Sequence, residues 1–208
     1  MHVSRRDLRK VDPWFLYDGV AKVLGRPVPD DEPLHFSVWL KGVFSTKDAF
    51  WLLQALPDGR GDAIALEVVR RAIARAVTAM EVDRAAEKRA AADEAEATRA
   101  ADLLSDAGIT GAPLEALRTQ IAACQGRRGM HQNRRVRAEN YITRAEDHVA
   151  RLYKEPRSGA FRLQDAIEAA VDAAAMAQSE WRNSDNVSPA VCAAWAAVRA
   201  DIEDLTRP

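Results

Sequence analysis

An all-α fold, an irregular multi-helix bundle of about seven to eight helices, is the class this chain of 208 residues predicts. Three observations predict it. The composition is rich in Ala, Leu, Glu and Arg, with only 10 Gly and 9 Pro, and such residues lose little on entering a helix. Apolar residues recur at steps of three and four, the spacing of one helix face. No alternating apolar and polar run is long enough for a strand.

The elements follow in order. Ser4 with Asp7 has the pattern of a capping box and starts a short turn or helix. Asp12-Pro13 is an N-cap followed by proline at the first helical position, and Gly25 closes that helix. Its apolar face carries Leu16, Val20, Val23 and Leu24. The loop from Arg26 to Glu32 leads through Pro33 into a helix of about 33–43 with Phe36, Val38, Trp39, Leu40 and Val43. Ser45 with Asp48 opens the next, which carries Phe50, Leu52, Leu53 and Leu56 and stops at Pro57-Asp58-Gly59.

Asp62 is expected to cap a long helix free of Gly and Pro that runs to about Ala107. Arg60-Gly61-Asp62 therefore reads as a turn and cap, not as an adhesion tripeptide. Leu66, Val69, Ile73, Val77 and Met80 form its stripe. From Asp83 to Asp102 no apolar side chain exceeds alanine. We read this stretch as a solvated, projecting helix that frays near Leu103-Leu104; the alternative is an alanine face packed closely on a partner helix.

After the Gly108–Gly111 loop, Pro113 opens a helix with Leu114, Leu117, Ile121 and Cys124, which Gly126 and Gly129 are expected to break. A further helix of about 130–155 carries Ala138, Ile142, Ala145, Val149 and Leu152. Beyond the turn at Pro156–Gly159, a helix of about 160–182 holds Leu163, Ile167, Val171, Ala174 and Trp181. Ser188-Pro189 starts the last, with Val191, Trp195, Val198, Ile202 and Leu205. The expected organisation is an aromatic-rich helical module (1–57), a connecting helix (58–107) and a C-terminal helical bundle (108–208).

Charge is unevenly spread. Residues 118–163 hold eleven Arg and Lys against four Asp and Glu, and residues 164–208 hold three against eight. The densest basic stretch, Gly126–Arg137, contains five arginines and a histidine with no acid before Glu139. At a helix start such clustered cations are unfavourable unless something negative meets them. The acids of 164–208 are one source, and a phosphate-bearing partner is another. For the second, Arg127, Arg128, His131, Arg134, Arg135 and Arg137 would grip phosphates, with Tyr141 as a stacking group. Gly126-Arg127-Arg128-Gly129 has the spacing of a phosphate-clamping GXXG loop, although the strands of such a fold are missing.

Other chemistries have no signature here. The histidines (His2, His35, His131, His148) are dispersed and form no metal motif. Cys124 and Cys192 are expected as buried, reduced thiols. No nucleophile elbow, phosphate-binding loop or dinucleotide fingerprint occurs. We expect no cofactor and no catalytic residues. With no apolar run near the membrane-spanning length and no secretory signal, a cytoplasmic location is expected.

Adjacent aromatics cannot share one helix face, which leaves Trp14, Phe15, Trp39, Phe50 and Trp51 as candidates for docking a partner. The sequence thus reads as a non-enzymatic helical interaction protein, an adaptor, assembly subunit or inhibitor. A protein partner is expected, and a second copy joined through the long helix is a further candidate. A nucleic-acid-binding subunit using the basic joint is the alternative.

Overall fold

A computed structural model gives the fold and describes residues 2–8, 14–43, 45–53, 56, 59–154, 159–177 and 189–207. Among these the chain is all-α, with eight helices and one minimal strand pair. The helices are α1 (Arg5–Leu8), α2 (Trp14–Leu24), α3 (Phe36–Gly42), α4 (Thr46–Leu52), α5 (Arg60–Asp106), α6 (Ala112–Lys154), α7 (Gly159–Met176) and α8 (Pro189–Leu205). The strands β1 (His2–Val3) and β2 (Leu34–His35) pair antiparallel, His2 opposite His35. Two residues are too few for an alternation to register in a sequence. Their pairing also moves the start of α3 from the expected 33 to Phe36, because Leu34 and His35 are extended.

Local chemistry explains most boundaries. The Ser4–Asp7 box forms: Asp7 N–H donates to Ser4 Oγ at 3.3 Å, and Ser4 N–H donates to Asp7 Oδ2 at 3.0 Å. Gly25 at φ 68° closes α2, and Arg26 N–H reaches back to Ala21 O at 3.2 Å. This is a C-terminal cap that requires a left-handed residue. Asp48 N–H donates to Ser45 Oγ at 3.1 Å ahead of α4. The cap of α5 is Gly59, not Asp62; Asp62 sits inside the first turn, where its charge favours the helix dipole. The expected Asp12 cap and the turn at Pro156 lie outside the described residues, as does Trp181.

One apolar core gathers the base of the molecule. Residues from the N-terminal segment (Val3, Leu8, Phe36, Trp39, Leu53) share it with α5 (Val68, Val69), α7 (Ile167, Val171) and α8 (Val198, Ile202). Each fully buried side chain of this size is worth roughly 1.5–3 kcal/mol. Trp39 is 0% exposed, and its Nε1–H donates to Val3 O at 2.9 Å, so its polar atom is satisfied inside the core. The α2–α3 crossing depends on glycine at both contact points. A Cβ on Gly19 would lie 2.1 Å from Gly42 O, and one on Gly42 would lie 2.7 Å from Val20 N. Arg199 of α8 donates to Leu40 O at 2.8 Å and Val43 O at 3.3 Å, satisfying carbonyls at the end of α3.

The fold departs most from expectation in the two long helices. Gly126 and Gly129 do not break the chain; they lie inside α6, which runs unbroken for 43 residues. Neither adopts a positive φ, and neither has a neighbour that a Cβ would meet. Each costs the helix about 1 kcal/mol relative to alanine, and the packing of α6 along α5 on both sides offsets that. The expected fraying at Leu103-Leu104 is also absent. Helix α5 continues to Asp106 and is capped by Ala107 N–H to Leu103 O and Gly108 N–H to Ser105 O.

Candidate functional site

Helices α5 and α6 fold back on each other through the Gly108–Gly111 turn, whose glycines have φ of 71° and 83°. On α5 the positions Leu66, Val69, Ile73, Ala76, Met80, Asp83, Glu87, Ala90, Glu94, Ala97, Ala101 and Leu104 alternate steps of three and four without interruption. On α6 the same alternation joins Leu114, Leu117, Ile121, Cys124, Arg128, His131, Arg135, Ala138, Ile142 and Ala145. Every one of these except Arg128 is buried or half-buried. A 3-4 repeat of this length is the seam of a coiled coil, here an antiparallel two-helix one. The stretch 83–102 is therefore an alanine face packed on a partner helix. The solvated single helix expected from its composition is not what forms.

Near the base the seam is apolar. Ala76, Met80, Ala138 and Ile142 pack with Ala173, Ala174 and Ala177 from α7 and the residues that follow it. Neither core cluster extends past Met80 on α5 or back past Ala138 on α6. Farther out, the buried side chains of α5 and α6 are Asp83, Ala90, Ala97, Ala101, Leu114 and Cys124, all of them on the seam. This outer part is a two-helix arm.

The middle of the arm carries charge where a coiled coil normally carries apolar knobs. The Arg135 Nε–H donates to Glu87 Oε2 at 3.0 Å, and its Nη1–H donates to Glu139 Oε1 at 2.9 Å. These two carboxylates, Glu87 foremost, raise the guanidinium further above its already high pKa. Arg128 Nη1 lies 2.6 Å from Glu94 Oε2, and Gln125 donates to Glu94 Oε1 at 2.9 Å. Arg84 reaches Glu139 at 3.8 Å. Deepest is Asp83, 3% exposed, whose Oδ1 accepts the His131 Nδ1–H at 2.8 Å. Its Oδ2 is buried with no hydrogen-bond partner among the described residues.

The basic joint is thereby resolved into two faces. Arg128, His131 and Arg135 turn into the seam and meet acids of α5. Arg127 and Arg134, seven residues apart, donate to Cys124 Sγ at 3.1 Å and Met130 Sδ at 3.5 Å and have no carboxylate partner among the described residues. Tyr141 continues their line, with the Arg144 guanidinium 5.5 Å from its ring centroid. Arg137 is exposed. The acids that meet Arg128, His131 and Arg135 come from α5 and from α6 itself. Asp201 and Asp204 instead hold Arg71 and Arg75 of α5, at 2.6–3.5 Å. The reason is register: an antiparallel hairpin lays 126–137 against 83–94, and α8 packs on the basal half.

Two of the candidate docking aromatics are core residues, since Trp39 and Phe50 are both buried. The side chains of Trp14, Phe15 and Trp51 lie outside what the structure describes. Cys124 is buried as expected, whereas Cys192 is exposed, because α8 covers the core with Val198 and Ile202 instead. Sequence reasoning missed Asp83, Glu87 and Glu94 as the partners of His131, Arg135 and Arg128. The signal that finds them is the unbroken 3-4 spacing through charged positions.

No described helix is long and apolar enough to cross a membrane. Compared with protein-family models, curated proteins and solved structures, the chain matches none.

Proposed function

We propose that the chain is a non-enzymatic helical interaction protein that docks to a protein partner through the α5–α6 arm. The single observation that supports this is the division of labour in the hairpin. Its outer half spends its buried surface on the seam, and its far end leaves large apolar groups in solvent, Leu103 in the last turn of α5 at 71% and Ile109 in the connecting turn at 44% exposure. Apolar side chains held in solvent at the end of a rigid arm are suited to entering a partner's groove. The charged seam fits the same reading: polar groups at seam positions fix register at some cost in stability, as an arm presenting a defined tip requires.

The test is co-purification with wild type and with Leu103→Ser/Ile109→Ser, a pair of exposed positions that leaves the fold intact by circular dichroism. A partner held by wild type and lost by the variant is expected. The same partners recovered in equal amounts with both proteins would overturn the reading.

A second reading, nucleic-acid binding, draws on the Arg127–Arg134–Tyr141 line alone. It predicts salt-sensitive binding of RNA or DNA oligomers that Arg127→Ala/Arg134→Ala weakens. Titrations flat at low salt would remove it.

A further inference from the structure

On one side of the arm α5 and α6 line an open cleft of about 450 Å³, formed by Arg84, Glu87, Lys88, Ala91, Arg128 and Arg135. Four of the six lining residues are cations and one is an acid. Ala91 is the one lining residue without a charged side chain, and a longer side chain there would narrow the cleft. Arg84 and Lys88 are one turn apart on α5, and Arg128 and Arg135 are two turns apart on α6, roughly 10 Å along the axis. The groove is therefore flanked by a pair of cations on each wall.

Donor capacity remains after the interhelical pairs are made. Arg135 uses Nε and Nη1 on Glu87 and Glu139, which leaves Nη2. Arg128 meets Glu94 through Nη1, and Arg84 meets Glu81 through Nη1 at 2.7 Å. Lys88 has no ion pair or hydrogen bond among the described residues. Glu94 and Glu139 hold the guanidinium groups from outside the lining, as partners that orient the forks without occupying the cleft. Pre-oriented guanidinium forks beside an ammonium are the recognition chemistry of phosphoryl oxygens.

We propose that this cleft binds a compact oligophosphate anion, a chain of phosphoryl groups lying along the groove and bridging Arg84 and Lys88 to Arg128 and Arg135. Occupancy would tie α5 to α6 across the least apolar part of the seam, so it stiffens the arm. The ligand site is distinct from the Arg127–Arg134 line, which lies on another face of α6, and from the tip residues.

The test is calorimetric titration of the full chain with tripolyphosphate and with orthophosphate at about 50 mM salt. Saturable one-to-one binding of tripolyphosphate is expected, at least about tenfold tighter than orthophosphate. Arg84→Ala/Lys88→Ala removes two lining cations and lowers the affinity about tenfold or more. Ala91→Leu narrows the cleft without changing charge and lowers the affinity about tenfold or more. Arg127→Ala/Arg134→Ala leaves it unchanged. No saturable binding, an affinity indifferent to Ala91→Leu and to Arg84→Ala/Lys88→Ala, or an equal loss in the Arg127→Ala/Arg134→Ala protein would overturn the proposal.

Discussion

The base and the arm of this molecule are held by different physics. In the base, Phe36, Trp39, Leu8, Leu40, Leu52 and Ile167 are buried to within 2% of completely, and burial of that kind dominates folding free energy. In the arm the buried apolar side chains beyond Met80 are three alanines, a leucine and a cysteine. What replaces bulk there is intrinsic helix propensity and charge pairs at seam positions. Alanine contributes little area, and an ion pair that is largely exposed contributes about 0–1 kcal/mol. The base decides whether the chain folds, and the arm decides which way its tip faces.

The largest effect that can break this contrast is in the base. Trp39→Ala removes a fully buried indole and its hydrogen bond to Val3 O, with an expected cost of about 3–5 kcal/mol. Chemical denaturation followed by circular dichroism reads it as a global loss. An equal substitution cost confined to the arm would contradict the division.

In the arm the informative change is the replacement of Asp83 and His131 together. Asp83→Leu/His131→Leu swaps a buried polar pair with an orphan oxygen for apolar knobs, which is neutral or stabilising by about 1–4 kcal/mol. Asp83→Ala alone leaves His131 without its acceptor and opens space at the seam, at an expected cost of about 1–3 kcal/mol. Hydrogen exchange places that loss in residues of the arm, with the amides of α7 and α8 unchanged. The double variant sharpens the comparison further. If the charged seam fixes register, the more stable leucine protein populates additional oligomers in sedimentation, whereas wild type does not.

The smallest expected effect is at the strand pair. His35 sits opposite His2, with ring centroids 5.4 Å apart. Desolvation first, and neighbouring positive charge including His2 after it, hold its pKa below the ordinary histidine value. The unfolded chain therefore binds a proton that the folded chain resists, and stability rises with pH across that window. The contribution is complete above the unfolded value of about 6.5 and is lost as pH falls through the folded one. His35→Asn, which retains an acceptor for the Ser37 amide, flattens the pH dependence of the denaturation midpoint between about pH 5 and 7. A profile as steep as wild type would locate the dependence elsewhere.

Much of the fold was legible in the sequence because caps and apolar stripes are local. The Ser4–Asp7 box, the Gly25 stop, the Gly108–Gly111 turn and the core faces of α7 and α8 all lie where residue chemistry places them. The arm was misread for one physical reason. Gly126 and Gly129 are breakers by propensity, and Asp83–Asp102 has no bulk, so each segment viewed alone lacks a reason to pack. Only their juxtaposition supplies one, and juxtaposition is a tertiary fact. The arginines showed the same limit. Their density was plain, but their partners, Glu87 and Glu94, are more than thirty residues away in sequence, on the opposite strand of the hairpin. A 3-4 count that ignores polarity recovers them, because seam positions keep their spacing even where they carry charge.

The seam depends most directly on the continuity of α6 through its two glycines, which places Arg128, His131 and Arg135 within it. Thr119 and Asn140 are both exposed and lie three heptads apart on the outer face of α6, flanking Gly126 and Gly129. Spin labels at these two positions, measured by pulsed electron resonance, should report a single narrow distance near 32 Å, the rise of an unbroken helix. A broad distribution, or one centred well below that distance, would mean that the helix bends at its glycines and that the register of the arm is lost.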